Sequence, residues 1–393
     1  MNACSAMCSG MATDSAVRPL TYFDRPGGTK TRGEVVLTDD VQRLLNANCV
    51  VALAVSGGKD SQAMAIAASR HLDRIGHTGP RVLIHADLGS VEWKDSLPCC
   101  ERLAMHLGLE LITVRRPAGG LMERWQGRWE NNVKRYRELS CVKLILPWST
   151  PSMRFCTSEL KVDVITRALK KRFPGQQILN VSGIRRQEST ARSRMPISSL
   201  EKKLTRKGLE GYTWNAIIEF QLEQVFGTID DAGLALHEAY TRYKSSRVSC
   251  RYCIMGSIAD LNASVACEDN HAAYVDVVTL EADSTFAFQG NRWLADVAPH
   301  LLSDDLRRRV ARAKEAAIER QRAEEQVSKH LLYTKGWPTT MPTRAEAELL
   351  ARVRREVAAA VGLDVADYVT ADSVVERYAQ LMDLQRVKLQ AVR

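Results

Sequence analysis

The chain lacks any long apolar run. None of its 393 residues belongs to a stretch of about 18 apolar residues, the length that a membrane-spanning helix needs. The first twenty residues show no apolar core of the signal-peptide type, so we expect a cytoplasmic protein without membrane contact. Internal repeats and low-complexity tracts are also missing. With 45% hydrophobic and 26% charged residues, the composition excludes a wholly disordered or collagen-like protein.

Ten cysteines are present, but without a predicted export signal they do not indicate a disulfide framework. We expect reduced thiols, metal ligands or core residues. Cys4 and Cys8 fall in residues 1–35, which have no periodicity and which we interpret as a mobile tail. Cys99 and Cys100 are adjacent on a predicted helix, where neighbouring side chains point in different directions, so we interpret them as structural.

Positive charge is concentrated in one stretch. The net charge is +9, yet residues 115–210 hold 22 Lys and Arg against 8 Asp and Glu, whereas the rest holds 33 against 38. This imbalance predicts an anionic partner, DNA or RNA being candidates, at residues 115–210. Four large aromatic residues lie in the same stretch: Trp125, Trp129, Tyr136 and Trp148. They could stack on bases, but we favour ordinary packing.

Short apolar segments alternate with helical patterns through the first half of the chain. Predicted strands cover 49–55, 82–86, 109–114 and 178–182, and predicted helices cover 60–75 and 97–107. This order predicts an α/β fold, a doubly wound parallel sheet with helices on both faces. Further predicted helices cover 301–332, 344–361 and 374–392. We therefore predict a nucleotide-binding domain over 36–245, a cysteine-bearing segment over 246–295 and a helical extension over 296–393.

A glycine-containing loop follows the first predicted strand and opens the first long helix. Its sequence is Ser56-Gly57-Gly58-Lys59-Asp60-Ser61. Glycines let the backbone approach a phosphate, the helix N-terminus presents unpaired amides, and Lys59 adds positive charge. We expect Gly58 to face the phosphate, with a positive φ. The loop is not a Walker A motif, which would need glycine at Leu53 and Ser or Thr at Asp60.

This loop resembles the PP-loop of N-type ATP pyrophosphatases, whose signature is S-G-G-x-D-S. Three further segments resemble the phosphoadenosine phosphosulfate (PAPS) reductase family within that superfamily. They are His85-Ala-Asp87-Leu-Gly89, Arg154-Phe-Cys156-Thr-Ser-Glu-Leu160-Lys161 and Gly183-Ile-Arg185-Arg-Gln-Glu188-Ser189-Thr-Ala-Arg192. The stretch from Trp214 to Tyr240 also resembles the family, so the likeness covers residues 45–260. It implies an adenine nucleotide alpha hydrolase-like fold and chemistry at the α-phosphate of ATP or PAPS.

The resemblance assigns roles to individual residues. Predicted catalytic residues are Asp60, Lys161, Arg185 and Arg192. Predicted nucleotide contacts are Ser56, Gly57, Gly58, Lys59, Asp60, Ser61, Asp87, Gly89, Arg154, Gly183 and Glu188. The guanidinium groups of Arg185 and Arg192 suit phosphate or sulfate oxygens. The alternative is that both arginines lie on a solvated face and form an ion pair with Glu188. An acid near phosphates needs compensation, so we expect Asp60 to orient the loop or to help hold Mg²⁺.

Four cysteines are candidate metal ligands: Cys156, Cys250, Cys253 and Cys267. The CxxC spacing of Cys250 and Cys253 lets two thiolates face one metal. Four thiolates suit a 4Fe-4S cluster, with zinc, a redox dithiol or plain buried thiols as alternatives. Two departures from the family stand out. Phe155 replaces the first cysteine of an adjacent pair, and no C-terminal Glu-Cys-Gly-Leu-His segment follows Cys267.

These departures favour a sulfur-transfer branch of the family over sulfate reduction. We predict an ATP pyrophosphatase or adenylyl-transferring enzyme, closest in pattern to DNA-phosphorothioation-type and phage-encoded members. Its acceptor could be a nucleic acid, and a cysteine-desulfurase-like sulfur donor or another protein could dock on the C-terminal helices. The alternatives are a PAPS or adenylyl-sulfate reductase, and a non-enzymatic nucleotide-sensing subunit.

Overall fold

The computed structural model describes residues 33–391. The predicted N-terminal tail therefore lies almost wholly outside the described residues, as do Cys4 and Cys8. Within residues 33–391, no helix combines the length and the apolar character needed to cross a membrane.

Six strands in the described part of the chain form one sheet. They are β1 (Val50–Val55), β2 (Arg81–Asp87), β3 (Glu110–Arg115), β4 (Ile178–Val181), β5 (Ser198–Leu200) and β6 (Gly211–Trp214). Their order is β3-β2-β1-β4-β6-β5, and only the edge strand β5 runs antiparallel. In this register Leu53 lies between Leu83 and Val181. The predicted doubly wound, mostly parallel sheet is confirmed.

The order of the strands places two loops side by side. From β1 the chain builds outward through β2 and β3, whereas β4, β6 and β5 extend the sheet on the opposite side of β1. Ligands of open α/β sheets bind where the strand order reverses in this way, at the carboxyl ends of the strands. The loops that follow β1 and β4 meet at that point.

Helices cover both faces of the sheet. Those that precede the C-terminal region are α1 (Asp39–Asn46), α2 (Lys59–Arg74), α3 (Ser96–Leu107), α4 (Leu121–Arg137), α5 (Phe155–Thr157), α6 (Asp163–Arg172), α7 (Thr190–Ser193), α8 (Leu222–Asp231) and α9 (Glu238–Thr241). Alternate residues of β1 belong to two apolar cores, one on each face of the sheet. Leu53 packs with α2, α3 and α8, whereas Ala52 packs with α6. This alternation is what a strand buried on both faces requires.

The C-terminal region is helical and packs on α4. It contains α10 (Ile258–Val265), α11 (His271–Ser284), α12 (Asp304–Glu325), α13 (Arg344–Val361) and α14 (Ala371–Ala391). The four aromatic residues considered for base stacking are buried in the core between α4 and these helices. Trp125 and Trp148 meet edge to face there, with ring centroids 5.2 Å apart. The packing alternative is therefore correct for all four.

A buried arginine ties this region to α4. Arg354 on α13 is only 1% exposed and donates to the carbonyls of Tyr136 and Arg137 at the end of α4. Its remaining donors reach the carbonyls of Asp367 and Tyr368. The negative end of the α4 dipole favours a cation at this position. The C-terminal helices thus share both an apolar core and a polar anchor with the preceding domain.

Several elements were not predicted from the sequence, among them α4, α6, α8, α10, β5 and β6, and two further differences have a clear reason. The helix predicted over 301–332 begins only at Asp304, where Ser303 caps it, and ends at Glu325 before a short turn, Lys329–Leu331. Helix α11 was not predicted, because it carries apolar residues on all sides and so lacks the one-sided pattern of a surface helix.

Candidate functional site

The loop between β1 and α2 is held open by glycine at one position in particular. Gly57 has φ +73, and a Cβ there would stand 2.7 Å from the carbonyl oxygen of Ser96. Gly58, by contrast, has φ −77, and a Cβ there would meet Tyr240 Oη at 3.4 Å, an ordinary contact. The positive φ expected at Gly58 was therefore wrong; Gly57 is the residue that requires the left-handed conformation.

Two serines close this loop on itself. Ser61 Oγ accepts a hydrogen bond from the Ser56 amide at 3.2 Å and donates to the Gly58 carbonyl at 2.9 Å. The Ser56 hydroxyl lies 3.4 Å from that of Ser61. Together these bonds shape a turn whose next amides begin α2 and are not used within the helix. The loop thus has the backbone form of an anion-binding site.

Asp60 is compensated by two cations. Its carboxylate accepts from Arg185 Nε at 2.6 Å and pairs with Lys59 Nζ at 3.3 Å. Burial alone would raise the pKa of Asp60, but Lys59 and Arg185 outweigh it and hold the pKa below its usual value. Because this carboxylate is already neutralised, Asp60 does not fit a direct Mg²⁺ ligand. It fits the other predicted role, that of orienting the loop.

The loop after β4 touches the start of α2. A Cβ on Gly183 would stand 2.6 Å from the carbonyl oxygen of Asp60 and 3.0 Å from the Ser61 amide nitrogen, so only glycine allows this approach. Farther along, Glu188 accepts from the Arg185 amide at 2.9 Å and pairs with Arg192. Arg185 is buried against Asp60, while Arg192 remains partly exposed. The structure therefore brings Gly183 and Arg185 to the loop after β1, where Arg185 supports Asp60, and it links Glu188 and Arg192 to Arg185.

The loop after β2 forms the other wall. Asp87 accepts from the Gly89 amide at 2.7 Å, and Gly89 has φ +77. Glu92, which the sequence analysis did not single out, accepts from the Leu88 amide at 3.0 Å and from the buried His85 at 3.3 Å. Burial lowers the pKa of His85, but Cys100 and Glu92 outweigh it and raise the pKa to about 10. The imidazole of His85 thus lies between Glu92 and the carbonyl of Val55 in β1 and supports this loop.

Three of the four candidate cysteines lie together. All three are half-buried free thiols: Cys156, Cys250 and Cys253. Burial and then the Cys253 thiol raise the pKa of Cys250, whereas Lys161 lowers it and Cys156 raises it further. Lys161 follows Cys156 in a π-helical turn, Ser158–Val162, which is a distortion often found at functional sites. Lys161 thus stands beside the thiols.

Cys267 has different neighbours. It is 2% exposed, packs in a small apolar cluster with Trp93 and Ala239, and hydrogen-bonds the Tyr243 hydroxyl. Its role as a fourth ligand stays a prediction. Cys99 and Cys100 are buried under the phosphate loop and next to His85 respectively.

The chemistry of the three thiols suits a soft metal centre. Thiolates bind both tetrahedral zinc and the irons of a 4Fe-4S cluster. Among residues 33–391, no group of three His, Cys, Asp or Glu side chains is arranged to hold one metal ion. A cluster or a zinc ion held by Cys156, Cys250 and Cys253 therefore stays a prediction.

The CxxC segment is attached to both walls of the candidate site. The Arg251 amide donates to the Val91 carbonyl at 2.8 Å, and the Arg251 guanidinium reaches the Ser90 carbonyl at 3.0 Å. On the other side, Lys59 Nζ donates to the Ser246 carbonyl at 3.0 Å. The thiols consequently lie against the loops that follow β1 and β2, although residues 59 and 250 are far apart in the chain.

Two residues that sequence reasoning missed organise this attachment. The hydroxyl of Tyr240, which is 1% exposed, accepts backbone hydrogen bonds from both Lys59 and Val248. Asp260 accepts from Ser246 and Ser257 and caps α10. The pattern Ser257-x-x-Asp260 is a capping-box signal that the sequence does carry. No local signal marks Tyr240, because both of its partners are distant or irregular in sequence.

The basic stretch is divided between two edges of the sheet. Among described residues, seven of its cations form ion pairs: Arg115, Arg124, Arg172, Arg185, Arg186, Arg192 and Lys203. Lys171 ends α6 and Lys207 precedes β6, so both lie at the amino edge, away from the thiols. Arg154 is exposed beside Cys156, and the next residue, Phe155, packs against Arg124 and Arg128, 4.6 and 5.1 Å from the ring centroid.

Comparison with known proteins assigns part of the sequence to a domain family. A family model described as "Phosphoadenosine phosphosulfate reductase domain" matches residues 50–255. None of the curated proteins matches the chain.

Two solved structures are also similar. A phosphoadenylyl-sulfate reductase from Candida auris in a phosphate complex is 16% identical, with a TM-score of 0.31, over 52% of this chain and 92% of that chain. The U34-tRNA thiolase NcsA from Methanococcus maripaludis with its [4Fe-4S] cluster is 15% identical, with a TM-score of 0.27, over 62% of this chain and 74% of that chain.

Proposed function

The chain belongs to the phosphoadenosine phosphosulfate reductase domain family, and on that premise we propose that it is an ATP-dependent sulfur-transfer enzyme. An acceptor oxygen attacks the α-phosphorus of ATP, the bond from that phosphorus to the bridging oxygen breaks, and pyrophosphate leaves. A sulfur nucleophile then displaces AMP from the adenylylated acceptor, which exchanges its oxygen for sulfur.

The observation that carries this proposal is the position of the thiols. Through Arg251 and Ser246, the segment that bears Cys250 and Cys253 is hydrogen-bonded to the loops after β2 and β1. A nucleotide on the phosphate loop and a sulfur carrier on these cysteines would therefore be neighbours. Such proximity is what a two-step exchange through one adenylylated acceptor needs.

The protein groups divide the work in this proposal. The turn of Ser56–Ser61 receives phosphate oxygens on its amides, and Arg192 supplies positive charge at its rim. The paired Lys59, Asp60 and Arg185 keep the start of α2 in place. A cluster held by Cys156, Cys250 and Cys253 would supply soft iron sites that carry sulfur or electrons.

A polyanionic acceptor is supported by charge beside the thiols. Arg154 is exposed next to Cys156, with Lys161 half-buried behind it. Cations at this place attract a phosphate backbone and would bring a nucleic-acid acceptor to the thiols. A separate sulfur-donor protein would dock on the exposed apolar side chains of α14, where Leu384 and Val387 are 50% and 62% exposed.

Reduction of PAPS is the second candidate, and one observation argues for it. Cys250 and Cys253 are free thiols two residues apart, which suits a redox dithiol. However, Cys267 is buried and hydrogen-bonded, so this thiol is not placed to attack PAPS. A nucleotide-sensing subunit would bind nucleotide and catalyse neither reaction.

Product analysis separates the three functions. Anaerobically purified protein is incubated with ATP, sodium sulfide and total RNA or DNA, or with PAPS and a thioredoxin, and AMP, pyrophosphate and sulfite are measured. Pyrophosphate and AMP from ATP support the proposal, sulfite from PAPS supports the reductase, and binding alone supports the sensor.

The phosphate loop offers a matched pair of variants for this assay. Gly57→Ala meets both a positive φ and the Ser96 carbonyl, whereas Gly208→Ala meets a similar φ of +74 with no atom within 4 Å. We expect the first to lose ATP turnover and the second to keep it. Equal turnover in both would refute the assignment of the phosphate loop.

A further inference from the structure

One atom joins the phosphate loop to the thiol segment. Tyr240 Oη accepts the amide of Lys59, the first residue of α2, at 3.2 Å. The same oxygen accepts the amide of Val248, two residues before Cys250, at 2.9 Å. Because a phenol oxygen has only two lone pairs, both are committed to these backbone groups. The hydroxyl therefore sets the distance between the start of α2 and the segment that leads to the CxxC.

Residues 245–249, which we term the strap, lie directly on the phosphate loop. Val248 Cβ is 3.5 Å from the position that a Cβ would take on Gly58. Lys59 Nζ donates to the Ser246 carbonyl at 3.0 Å. At its far end the strap is anchored by Asp260, which accepts from the Ser245 hydroxyl and the Ser246 amide at 3.0 and 2.9 Å.

Lys59 contributes two donor groups, its backbone amide and its side-chain ammonium, to the contacts between the strap and the phosphate loop. Its amide reaches Tyr240, and its ammonium reaches the strap carbonyl and Asp60. Both groups also belong to the anion-binding end of α2, where a phosphate would compete for them. A backbone amide cannot donate fully to the phenol oxygen and to a phosphate oxygen at the same time. An anion that takes these Lys59 donors would therefore weaken the hold on the strap.

We propose that Tyr240 is a positioning residue that registers the CxxC segment on the phosphate loop and releases it when the loop binds the phosphates of a nucleotide. The release step rests on the proposed function, because it assumes that ATP binds at this loop. In the ligand-free protein the thiols of Cys250 and Cys253 are held in register by the strap. Nucleotide binding draws the Lys59 donors toward the phosphates, so the strap loosens and the thiols gain freedom to meet the acceptor.

Hydrogen exchange measured by mass spectrometry tests both halves of this inference. The two segments to follow are the phosphate loop, 56–62, and the strap with its extension to the CxxC, 244–252. In ligand-free protein, Tyr240→Phe keeps the ring but removes the acceptor of both amides. We expect exchange in both segments to rise about two- to tenfold, the effect of one hydrogen bond on an opening equilibrium.

A matched control removes a similar hydroxyl elsewhere. Tyr274 in α11 is equally buried, and its Oη accepts the Ala298 amide at 3.0 Å. Tyr274→Phe should leave exchange in both segments at the wild-type value. If Tyr240→Phe does not fold, Val248→Pro removes the strap amide without altering the tyrosine and should raise exchange in the strap. Wild-type exchange in the folded Tyr240→Phe variant would overturn the registration role.

The same exchange measurement in the presence of a ligand tests the release step. With ATP, or with inorganic pyrophosphate as the simpler probe, wild-type protein should show slower exchange in the loop and faster exchange in the strap. Tyr240→Phe should show the fast strap exchange already without ligand and no further change with it. A strap that becomes slower, or stays unchanged, when ligand binds to the wild-type protein would overturn release. If neither probe binds, the proposed function and release both fail, while the ligand-free comparison still decides the registration role.

Discussion

Gly183→Ala is the sharpest test of how the nucleotide site is assembled. The backbone at Gly183 does not need a positive φ, so the substitution tests crowding alone. The new Cβ would stand 2.6 Å from the carbonyl oxygen of Asp60, 2.8 Å from its carbonyl carbon and 3.0 Å from the Ser61 amide nitrogen. All three are backbone atoms, which cannot turn away as a flexible side chain would.

Relief of this crowding must move either α2 or the loop after β4. Overpacking of this kind costs about 1–3 kcal/mol of unfolding free energy. Either movement also shifts Arg185 relative to Asp60, which it contacts at 2.6 Å. We therefore expect lower stability and a loss of ATP affinity together, measured by denaturant unfolding and by calorimetric titration of the same preparations.

Gly127→Ala is the control for this prediction. Gly127 lies within α4, and an added Cβ has no neighbour within 4 Å. Alanine should raise stability there by up to about 1 kcal/mol through helix propensity. If Gly183→Ala matches wild type in both stability and ATP affinity, the tight contact between the loop and α2 is not a feature of the protein in solution, and the reasoning fails.

Three further substitutions probe the ion pairs, the C-terminal anchor and the metal centre. Asp60→Asn should lower the free energy of unfolding by roughly 2–3 kcal/mol at pH 7, because two buried cations lose their partner. Arg354→Met should cost about 3 kcal/mol, since four carbonyl groups lose their donor, and should expose the C-terminal helices to limited proteolysis. Cys250→Ser should reduce iron and acid-labile sulfide in anaerobically purified protein, whereas Cys99→Ser should keep the wild-type content.

A specific result would contradict each of these predictions. The pKa of Asp60 is held below its ordinary value, so its contribution to stability is present above about pH 4 and disappears as the pH falls through the folded-state pKa. An Asp60→Asn deficit that stays constant down to pH 2 would contradict the ion-pair account. Arg352→Met, at an exposed position of the same helix, should change stability little. Iron content that is equal in all the cysteine variants would contradict a cluster at the three thiols.

Local patterns predicted β1, β2 and β4 because these strands are largely buried and therefore read as apolar runs, whereas the short parallel strand β6 was not predicted. Val50–Val55 and the loop that follows it are contiguous in sequence, so the phosphate turn was recognisable from six residues. The sequence did not, however, indicate which of the two glycines has the positive φ. Whether Gly57 or Gly58 takes the left-handed conformation depends on the packing of α3 under the loop, and the sequence of the loop carries no sign of that packing.

The sequence alone determined the family and the fold class and singled out the candidate residues of the loop after β1, because these depend on short-range order and on spacing along the chain. The tertiary structure decided which charges pair and which thiols meet. It turned Arg185 inward to Asp60, divided the basic stretch between two edges of the sheet, and buried Cys267 in a small cluster with Trp93 and Ala239. It also brought Tyr240 to the start of α2, 181 residues away in sequence. Such contacts join residues whose separation leaves no periodic or local signal, so only the packed chain reveals them.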